Sequence, residues 1–390
     1  MTSTFKKSAL HAVAAIVLLG LISCLGSLRA PHGATWQWNL PAHFPVPRIP
    51  ADNLMSEEKF QLGRHLFYDK KLSGNGTMAC ASCHFQSLAF TDGKAVSTGA
   101  SGMPTLRSAQ TLANSAYHPF FTWANYSLVS MEHQMMVPLQ GEDPVEMGFN
   151  DATLPLILQR FNEDEHDARR FDAAFPGESM RLDQIVKAIA VFQRALISAN
   201  SQYDRYLLKK ATFSETQERG RALFFSGKAQ CSQCHGSVNF NDQFISADTT
   251  NVKMQFHNTG LYNLGGSGAF PIGNGGIGEL SGRSQDIGMF RAATLRNIEV
   301  TAPYMHDGSI ATLEQVLVFY AAGGRNIADG PHQGDGRKHP NKDVRLNQIT
   351  LSTAEQADII AFLKTLTDAE FLSNPRFSDP SKMDIQLKRP

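Results

Sequence analysis

Four cysteines and two histidines occur in two short groups whose spacing points to one kind of chemistry. Residues 80–84 read CASCH and residues 231–235 read CSQCH, so both follow the pattern C-x-x-C-H. At this spacing two thiols can bond to the vinyl groups of one haem, and the adjacent imidazole can coordinate its iron. We therefore expect two covalently bound c-type haems, held by Cys80, Cys83, His84, Cys231, Cys234 and His235.

Two other uses of these cysteines remain open from the sequence. Zinc also binds paired C-x-x-C thiolates, so a four-cysteine zinc site is one alternative. Zinc gives no reason for a histidine directly after both pairs. Structural disulfides are the second alternative, but cysteines three positions apart rarely bridge each other without strain.

The composition restricts the class of protein. The chain has 390 residues, which is enough for two domains with separate cores. Lys plus Arg and Asp plus Glu both number 36, so the charge balance gives no indication of a nucleic-acid partner. Thirty-one glycines and 18 prolines indicate many loops.

The N-terminus has the pattern of a bacterial export signal. Lys6 and Lys7 precede an apolar run that is too short for a confident membrane-spanning helix. The run ends in LISC at residues 21–24, which is similar to a lipobox and predicts lipid attachment at Cys24. An uncleaved anchor or an inert, buried Cys24 is the alternative. We expect a periplasmic protein that contacts the membrane only through an N-terminal lipid or anchor.

Helical periodicity and an internal repeat indicate the architecture. The segment 58–67 (EKFQLGRHLF) is similar to 215–224 (ETQERGRALF), and each precedes a C-x-x-C-H group. Amphipathic patterns predict further helices over 182–197, 312–320 and 353–366, whereas the glycine-rich 254–290 predicts a long loop. The expected fold is mainly α, with two cytochrome c-like haem domains packed around a shared interface and long loops.

The same patterns suggest how the chain is divided. We expect a signal peptide of lipoprotein type, an extended proline-rich arm, an N-terminal haem domain, a C-terminal haem domain and a polar tail on the surface. These correspond to residues 1–24, 25–54, 55–205, 206–370 and 371–390.

Three separated segments resemble one known family. They are residues 63–93 (GRHLFYDKKLSGNGTMACASCHFQSLAFTDG), 291–308 (RAATLRNIEVTAPYMHDG) and 312–324 (TLEQVLVFYAAGG). Together they resemble the bacterial di-haem cytochrome c peroxidases, and within them the branch that contains MauG. The resemblance covers roughly residues 55–367 and implies two unequal haems. The haem of the N-terminal domain (55–205) would react with peroxide, and the haem of the C-terminal domain (206–370) would transfer electrons.

For the second haem the resemblance implies His235 as the proximal ligand and Tyr320 as the distal one. The peroxidases have a methionine at this position, whereas MauG has a tyrosine. A phenolate stabilises ferric iron and lowers its reduction potential. The alternative is that Tyr320 only packs against the porphyrin, with water or Met305 as the ligand.

For the first haem the resemblance implies His84 as the proximal ligand and an accessible distal face. The classical peroxidases carry a removable distal histidine in the following loop, but no histidine occurs here between His84 and His118. Glu146 would be the acid–base group for peroxide, with Gln134 beside it and Pro138 in the pocket wall. The alternative is that Glu146 is an exposed loop carboxylate.

Two further roles follow from the same resemblance. Trp123 would relay electrons between the haems. Ser108, Thr301 and Pro303 occupy positions that bind calcium in the family, although Ser108 replaces an asparagine there.

The expected function is therefore reduction of hydrogen peroxide with electrons from a small cytochrome c or cupredoxin. Two alternatives remain: MauG-like oxidation of a protein or organic substrate, and non-catalytic electron transfer or redox sensing. Glu146 and Gln134 argue against the non-catalytic alternative.

Overall fold

The structure is a computed structural model that describes residues 36–381. Residues 1–35, which include Cys24, and residues 382–390 lie outside the described residues. The α-helices of the described part are α1 Glu57–Tyr68, α2 Met131–Gln140, α3 Leu154–Asn162, α4 Glu165–Ala174, α5 Leu182–Arg194, α6 Gln202–Leu207, α7 Glu215–Phe224, α8 Gly278–Ser281, α9 Leu313–Ala321, α10 Thr353–Lys364 and α11 Ala369–Ser373.

Short 3₁₀ helices and one small sheet complete the secondary structure of residues 36–381. The strands β1 (Asn326–Ile327) and β2 (Gly334–Asp335) pair antiparallel. The 3₁₀ helices are Lys70–Leu72, Cys80–Ser82, Gln86–Leu88, Ser115–Tyr117, Cys231–Gln233, Ser284–Asp286, Ile298–Val300, Gly336–Lys338 and Val344–Gln348. The predicted mainly helical fold with long loops is confirmed.

Serine caps begin the helices that precede the two C-x-x-C-H groups. The side chain of Ser56 accepts a hydrogen bond from the backbone N–H of Lys59 at the start of α1. Ser214 does the same for Gln217 at the start of α7, and the Gln217 side chain accepts from the Ser214 backbone N–H. These bonds satisfy amide donors that the first helical turn leaves without a partner.

A glycine in each of these helices lets a second helix come into backbone contact. Helix α1 crosses α5 at Gly63, where an added Cβ would lie 1.9 Å from the carbonyl oxygen of Ala188. Helix α7 crosses α10 at Gly220, where a Cβ would lie 1.8 Å from the carbonyl oxygen of Asp358. Only glycine allows so close an approach, so the two helix pairs have the same construction.

The hydrophobic core has two main clusters. The first contains Phe60, Phe67 and Phe192 from α1 and α5. The second contains Phe224 and Phe362 from α7 and α10. The clusters lie on the two repeated segments of the chain, while the boundary at residues 205 and 206 stays a prediction.

The C-terminal segment differs from the predicted polar surface tail. Phe371 and Phe377 are only 2% and 8% exposed, and both belong to the first cluster. Arg64 in α1 donates hydrogen bonds to the carbonyl oxygens of Pro375 and Ser378. The prediction was wrong for residues 371–378, because Phe371 and Phe377 bury their rings in the first cluster although the sequence around them is polar.

A buried ion pair joins Asp204 in α6 to Arg296, which lies just before the 3₁₀ helix Ile298–Val300. The Arg296 guanidinium donates two hydrogen bonds to the Asp204 carboxylate, at 2.8 and 3.0 Å, and the two side chains are 0% and 1% exposed. The ring of Phe44, in the N-terminal arm, covers the guanidinium at 4.7 Å. The N-terminal arm therefore covers the ion pair between Asp204 and Arg296, which are 92 positions apart in the chain.

None of the helices within residues 36–381 is long and apolar enough to cross a lipid bilayer.

Replacing Asp204 with Asn should destabilise the protein strongly, because it leaves Arg296 buried without a counter-charge. We expect a loss of about 3–5 kcal/mol in the free energy of unfolding. Urea denaturation of the haem-loaded protein, followed by far-UV circular dichroism, measures this. Glu57→Gln is the control, since it breaks the surface pair with Arg376 and should cost about 0–1 kcal/mol. Equal losses in the two variants would contradict the prediction.

Candidate haem sites

The histidine of the first C-x-x-C-H group is oriented by a backbone carbonyl. Cys80–Ser82 forms a 3₁₀ turn, and Nδ1 of His84 lies 2.6 Å from the carbonyl oxygen of Phe90. A carbonyl oxygen only accepts hydrogen bonds, so Nδ1 carries the proton and Nε2 keeps its lone pair. Burial lowers the pKa of His84, which keeps the ring neutral, as an iron ligand must be.

The second group repeats this arrangement. Cys231–Gln233 is again a 3₁₀ turn, and Nδ1 of His235 lies 3.0 Å from the carbonyl oxygen of Phe240. Phe90 and Phe240 both have left-handed backbone conformations, with φ of 63° and 52°. Such φ values are uncommon for aromatic residues and are maintained only where the surroundings require them.

The four cysteines are suited to thioether bonds and not to the two alternatives. All four are free thiols, so the disulfide alternative is wrong. Within residues 36–381, neither candidate metal-binding cluster joins the two cysteine pairs: one is Cys234, Asp242 and His257, and the other is His65, Asp69 and Asp167. The four-cysteine zinc site is therefore also wrong.

A large cavity adjoins the second group and has the lining that a porphyrin needs. Both thiols and His235 face it, together with the apolar side chains of Leu261, Phe270, Leu313, Leu317, Ile359 and Leu363. Arg291 also lines it and is buried, yet its guanidinium donates only to the carbonyl oxygen of Phe120 and the amide oxygen of Gln110. The charge of Asp242 also acts on this guanidinium, but neither of its hydrogen-bond acceptors is charged, so it could pair with one of the two haem propionates. The cavity thus fits haem.

Tyr320 is placed by α9 on the wall of this cavity. Burial raises the pKa of its phenol, and its side chain lines the cavity together with Cys231 and Cys234. Met305, the alternative ligand, lines the same cavity. The structure therefore brings both candidate distal groups to the second site.

Glu146 lies beside the first group. Its charge acts on the thiols of both Cys80 and Cys83, and burial raises the pKa of its carboxyl group. It is therefore not an exposed loop carboxylate. Its backbone is held on two sides: Ala100 N–H donates to the Glu146 carbonyl oxygen at 2.8 Å, and Met147 N–H donates to the Pro138 carbonyl oxygen at 3.0 Å.

Helix α2 carries the other two residues expected near peroxide. Gln134 and Pro138 are four positions apart on α2 and therefore lie on one face of it. Both side chains are half-buried. The contact between Pro138 and Met147 brings this face to the segment that contains Glu146.

Trp123 lies next to the residues of the predicted calcium site. Its indole N–H donates to the carbonyl oxygen of Ser108 at 2.8 Å. The backbone N–H of Arg291 donates to the carbonyl oxygen of Trp123 at 2.9 Å. Trp123, Ser108, Thr301 and Pro303 all line the second-haem cavity. The structure thus brings the predicted relay and the predicted calcium ligands together.

The sequence reasoning missed a charged cluster beside the second group. Nε2 of His257 lies 2.5 Å from Asp242 and its Nδ1 lies 3.0 Å from Asp343. Burial alone would lower the pKa of His257, but the hydrogen bond to Asp242 and the contact with Cys234 raise it to about 10. These residues are separated by 15 and 86 positions, so no local signal could have shown the cluster.

Comparisons with known proteins agree with this geometry. The sequence model of the family described as di-haem cytochrome c peroxidase matches residues 57–212. Cytochrome-c peroxidase IdrP1 of Denitromonas iodatirespirans is 33% identical over 87% of this chain and 88% of its own length. The methylamine utilization protein MauG of Methylorubrum extorquens is 30% identical over 88% and 89%.

The chain belongs to the di-haem cytochrome c peroxidase and MauG family. It is an oxidoreductase of the cytochrome-c peroxidase type, and haem is its cofactor. A MauG-like protein associated with microbial copper homeostasis, whose crystal structure is known, is 52% identical in sequence to this chain. The two structures superpose with a TM-score of 0.88, and the match covers 89% of this chain and 99% of that one. The similarity to both branches confirms the resemblance seen in the sequence.

Replacing Tyr320 with Phe should change the second haem alone, because it removes the only phenol oxygen on α9 and keeps the ring. We expect the low-spin ferric absorption and electron paramagnetic resonance signals of the second haem to shift. Denatured mass spectrometry should show both haems still attached. An unchanged ferric spectrum would mean that another group, such as Met305, is the ligand.

Proposed function

We propose that the protein reduces hydrogen peroxide at the His84 site with electrons that enter at the His235 site and pass through Trp123. Each C-x-x-C-H group would bind one haem covalently, and the bound haems would supply the redox chemistry. The observation that carries the proposal is the half-buried Glu146 carboxyl, whose charge acts on the thiols of Cys80 and Cys83. A small cytochrome c or cupredoxin would be the electron donor.

The protein groups at the first site have separate tasks in this proposal. Glu146 takes a proton from one peroxide oxygen and delivers it to the other, which makes that oxygen a better leaving group. Gln134 orients the peroxide through its neutral amide. The hydrogen bond from Nδ1 of His84 to the Phe90 carbonyl oxygen fixes the ring and leaves Nε2 available, so His84 would hold the haem iron through Nε2.

The groups at the second site would set its electron-transfer properties. Tyr320 would favour the oxidised state as a phenolate ligand. Arg291 would neutralise a propionate. A calcium ion held by Ser108, Thr301 and Pro303 would lie beside Trp123, between the two sites.

A second function is favoured by Tyr320 and by the 52%-identical MauG-like protein. In this second function, the same two sites would remove electrons from a protein or organic substrate and not from a small cytochrome c or cupredoxin. That relative is associated with microbial copper homeostasis, and we extend this association to the present chain as part of the second proposal.

The location and the domain division are also proposals. A chain with a signal over 1–24 and lipid on Cys24 would be held at the membrane on the periplasmic side. The peroxide-reacting domain would span 55–205 and the electron-transfer domain 206–370.

Glu146→Gln should slow peroxide reduction by about 10²–10⁴-fold, the usual effect of losing a positioned acid–base group. Steady-state peroxide consumption with a reduced cytochrome c measures this. Because burial raises the pKa of Glu146, the carboxyl group should lose its proton at a higher pH than an ordinary glutamate does. The wild-type rate should therefore increase with pH above the usual carboxyl range, and the rate of the variant should not show this increase. Glu142→Gln, four positions away and exposed, is the control. Unchanged turnover in Glu146→Gln would remove this residue from the mechanism.

Stopped-flow mixing of hydrogen peroxide with the fully ferric protein tests the proposed function directly. The loop over residues 94–107 contains no histidine, so the first site should be open without reductive activation. We expect a rapid absorbance change at haem wavelengths before any electron is supplied. A requirement for prior reduction would show that another side chain blocks the first site.

A further inference from the structure

Tyr262 differs from four other tyrosines of the chain in what its hydroxyl contacts. The phenol is 5% exposed and donates a 2.6 Å hydrogen bond to Oδ2 of Asp307. The hydroxyls of Tyr68, Tyr117 and Tyr304 donate to backbone carbonyls, and that of Tyr206 lies 3.4 Å from Glu218. Tyr262 is thus a buried phenol with a close carboxylate partner.

A row of aromatic rings connects Tyr262 to the second-haem cavity. Its ring contacts Phe270 edge to face, with centroids 5.5 Å apart, and Phe270 lies 6.3 Å from Phe290. Both phenylalanines line the cavity with Cys231. Tyr262 also contacts the exposed ring of His332, with centroids 5.4 Å apart. Tyr262 therefore lies between the haem cavity and the surface.

The surroundings allow the phenol to lose an electron only together with its proton. The Arg325 guanidinium lies 4.5 Å above the ring, which opposes a positive charge on the phenol. Asp307 is positioned to accept the proton as a general base at hydrogen-bond distance. Arg325 also donates to Ser309 and to the Leu261 carbonyl oxygen, which fixes its position over the ring.

We propose that Tyr262 and Asp307 form a redox relay that carries electrons from the surface to the second-haem cavity. One electron leaves Tyr262 for the oxidised haem pair, the phenolic proton moves to Asp307, and a neutral tyrosyl radical remains. A donor at the surface then returns one electron, and Asp307 returns the proton. Hydrogen peroxide is the oxidant: its reduction to two waters takes two electrons and two protons, and Tyr262 passes on one electron at a time.

This relay rests on the proposed reaction with peroxide, and the test separates the two. Ferric protein containing ring-deuterated tyrosine is mixed with hydrogen peroxide without a donor. Haem absorbance is followed, and frozen samples are examined by electron paramagnetic resonance. We expect a tyrosyl radical whose signal narrows on deuteration and is lost in Tyr262→Phe, while the haem absorbance change is retained.

Tyr206→Phe is the matched control. Tyr206 also has a phenylalanine neighbour, Phe213, which is stacked on it at 4.2 Å, and an arginine, Arg221, at 5.8 Å over its ring, but its carboxylate contact is longer. The radical should persist in this variant. Asp307→Asn keeps the oxygen that accepts from Ser309 N–H and removes the base, so it should also lose the radical.

The possible outcomes are distinct. A radical that survives in Tyr262→Phe, or that disappears only in Tyr206→Phe, overturns the relay and leaves the peroxide reaction intact. An absorbance change with no tyrosyl radical in the wild type also overturns the relay and leaves the peroxide reaction intact. No absorbance change at all in the wild type overturns the proposed function, and the relay with it.

Discussion

The hydrogen bond between each motif histidine and a phenylalanine carbonyl determines the rest of both sites. His84 and His235 must present Nε2 in a fixed direction, and only an acceptor on Nδ1 can fix both the tautomer and the ring plane. That acceptor requires Phe90 and Phe240 to adopt left-handed backbone conformations. Their rings are buried in the two core clusters, so hydrophobic packing maintains the strained turn.

Those rings are positioned in turn by the glycine crossings. Gly63 and Gly220 hold the same place in the repeated segment, and each lets a partner helix touch the backbone. Phe67 and Phe224, four positions later, then reach the phenylalanine that holds the histidine: Phe67 lies 5.9 Å from Phe90, and Phe224 lies 5.8 Å from Phe240. Helix crossing, ring packing and histidine orientation therefore form one mechanical unit, which occurs twice.

Sequence reasoning succeeded where the information is local. The C-x-x-C-H spacing, the amphipathic patterns and each copy of the repeated segment depend on residues that are close together in the chain, so the helices α1, α7 and α10 could be predicted. Contacts between distant positions could not. The pairing of Tyr262 with Asp307, 45 residues away, and the return of Phe377 to the first core depend on how loops cross in space. The glycine-rich region 254–290 predicted only a loop, yet it contains His257 and Tyr262.

The asymmetry between the two sites follows from what each repeat leaves beside its histidine. Near the first, a short loop places the Glu146 carboxyl by the thiols, where burial raises its pKa and prepares it to exchange protons. Near the second, α9 places a phenol, and Arg291 contributes a buried positive charge whose two hydrogen-bond acceptors are both neutral. Proton transfer requires a group that can change its charge, whereas an electron-transfer site benefits from charges that stay fixed. The first arrangement suits bond cleavage in peroxide, and the second suits holding and passing electrons.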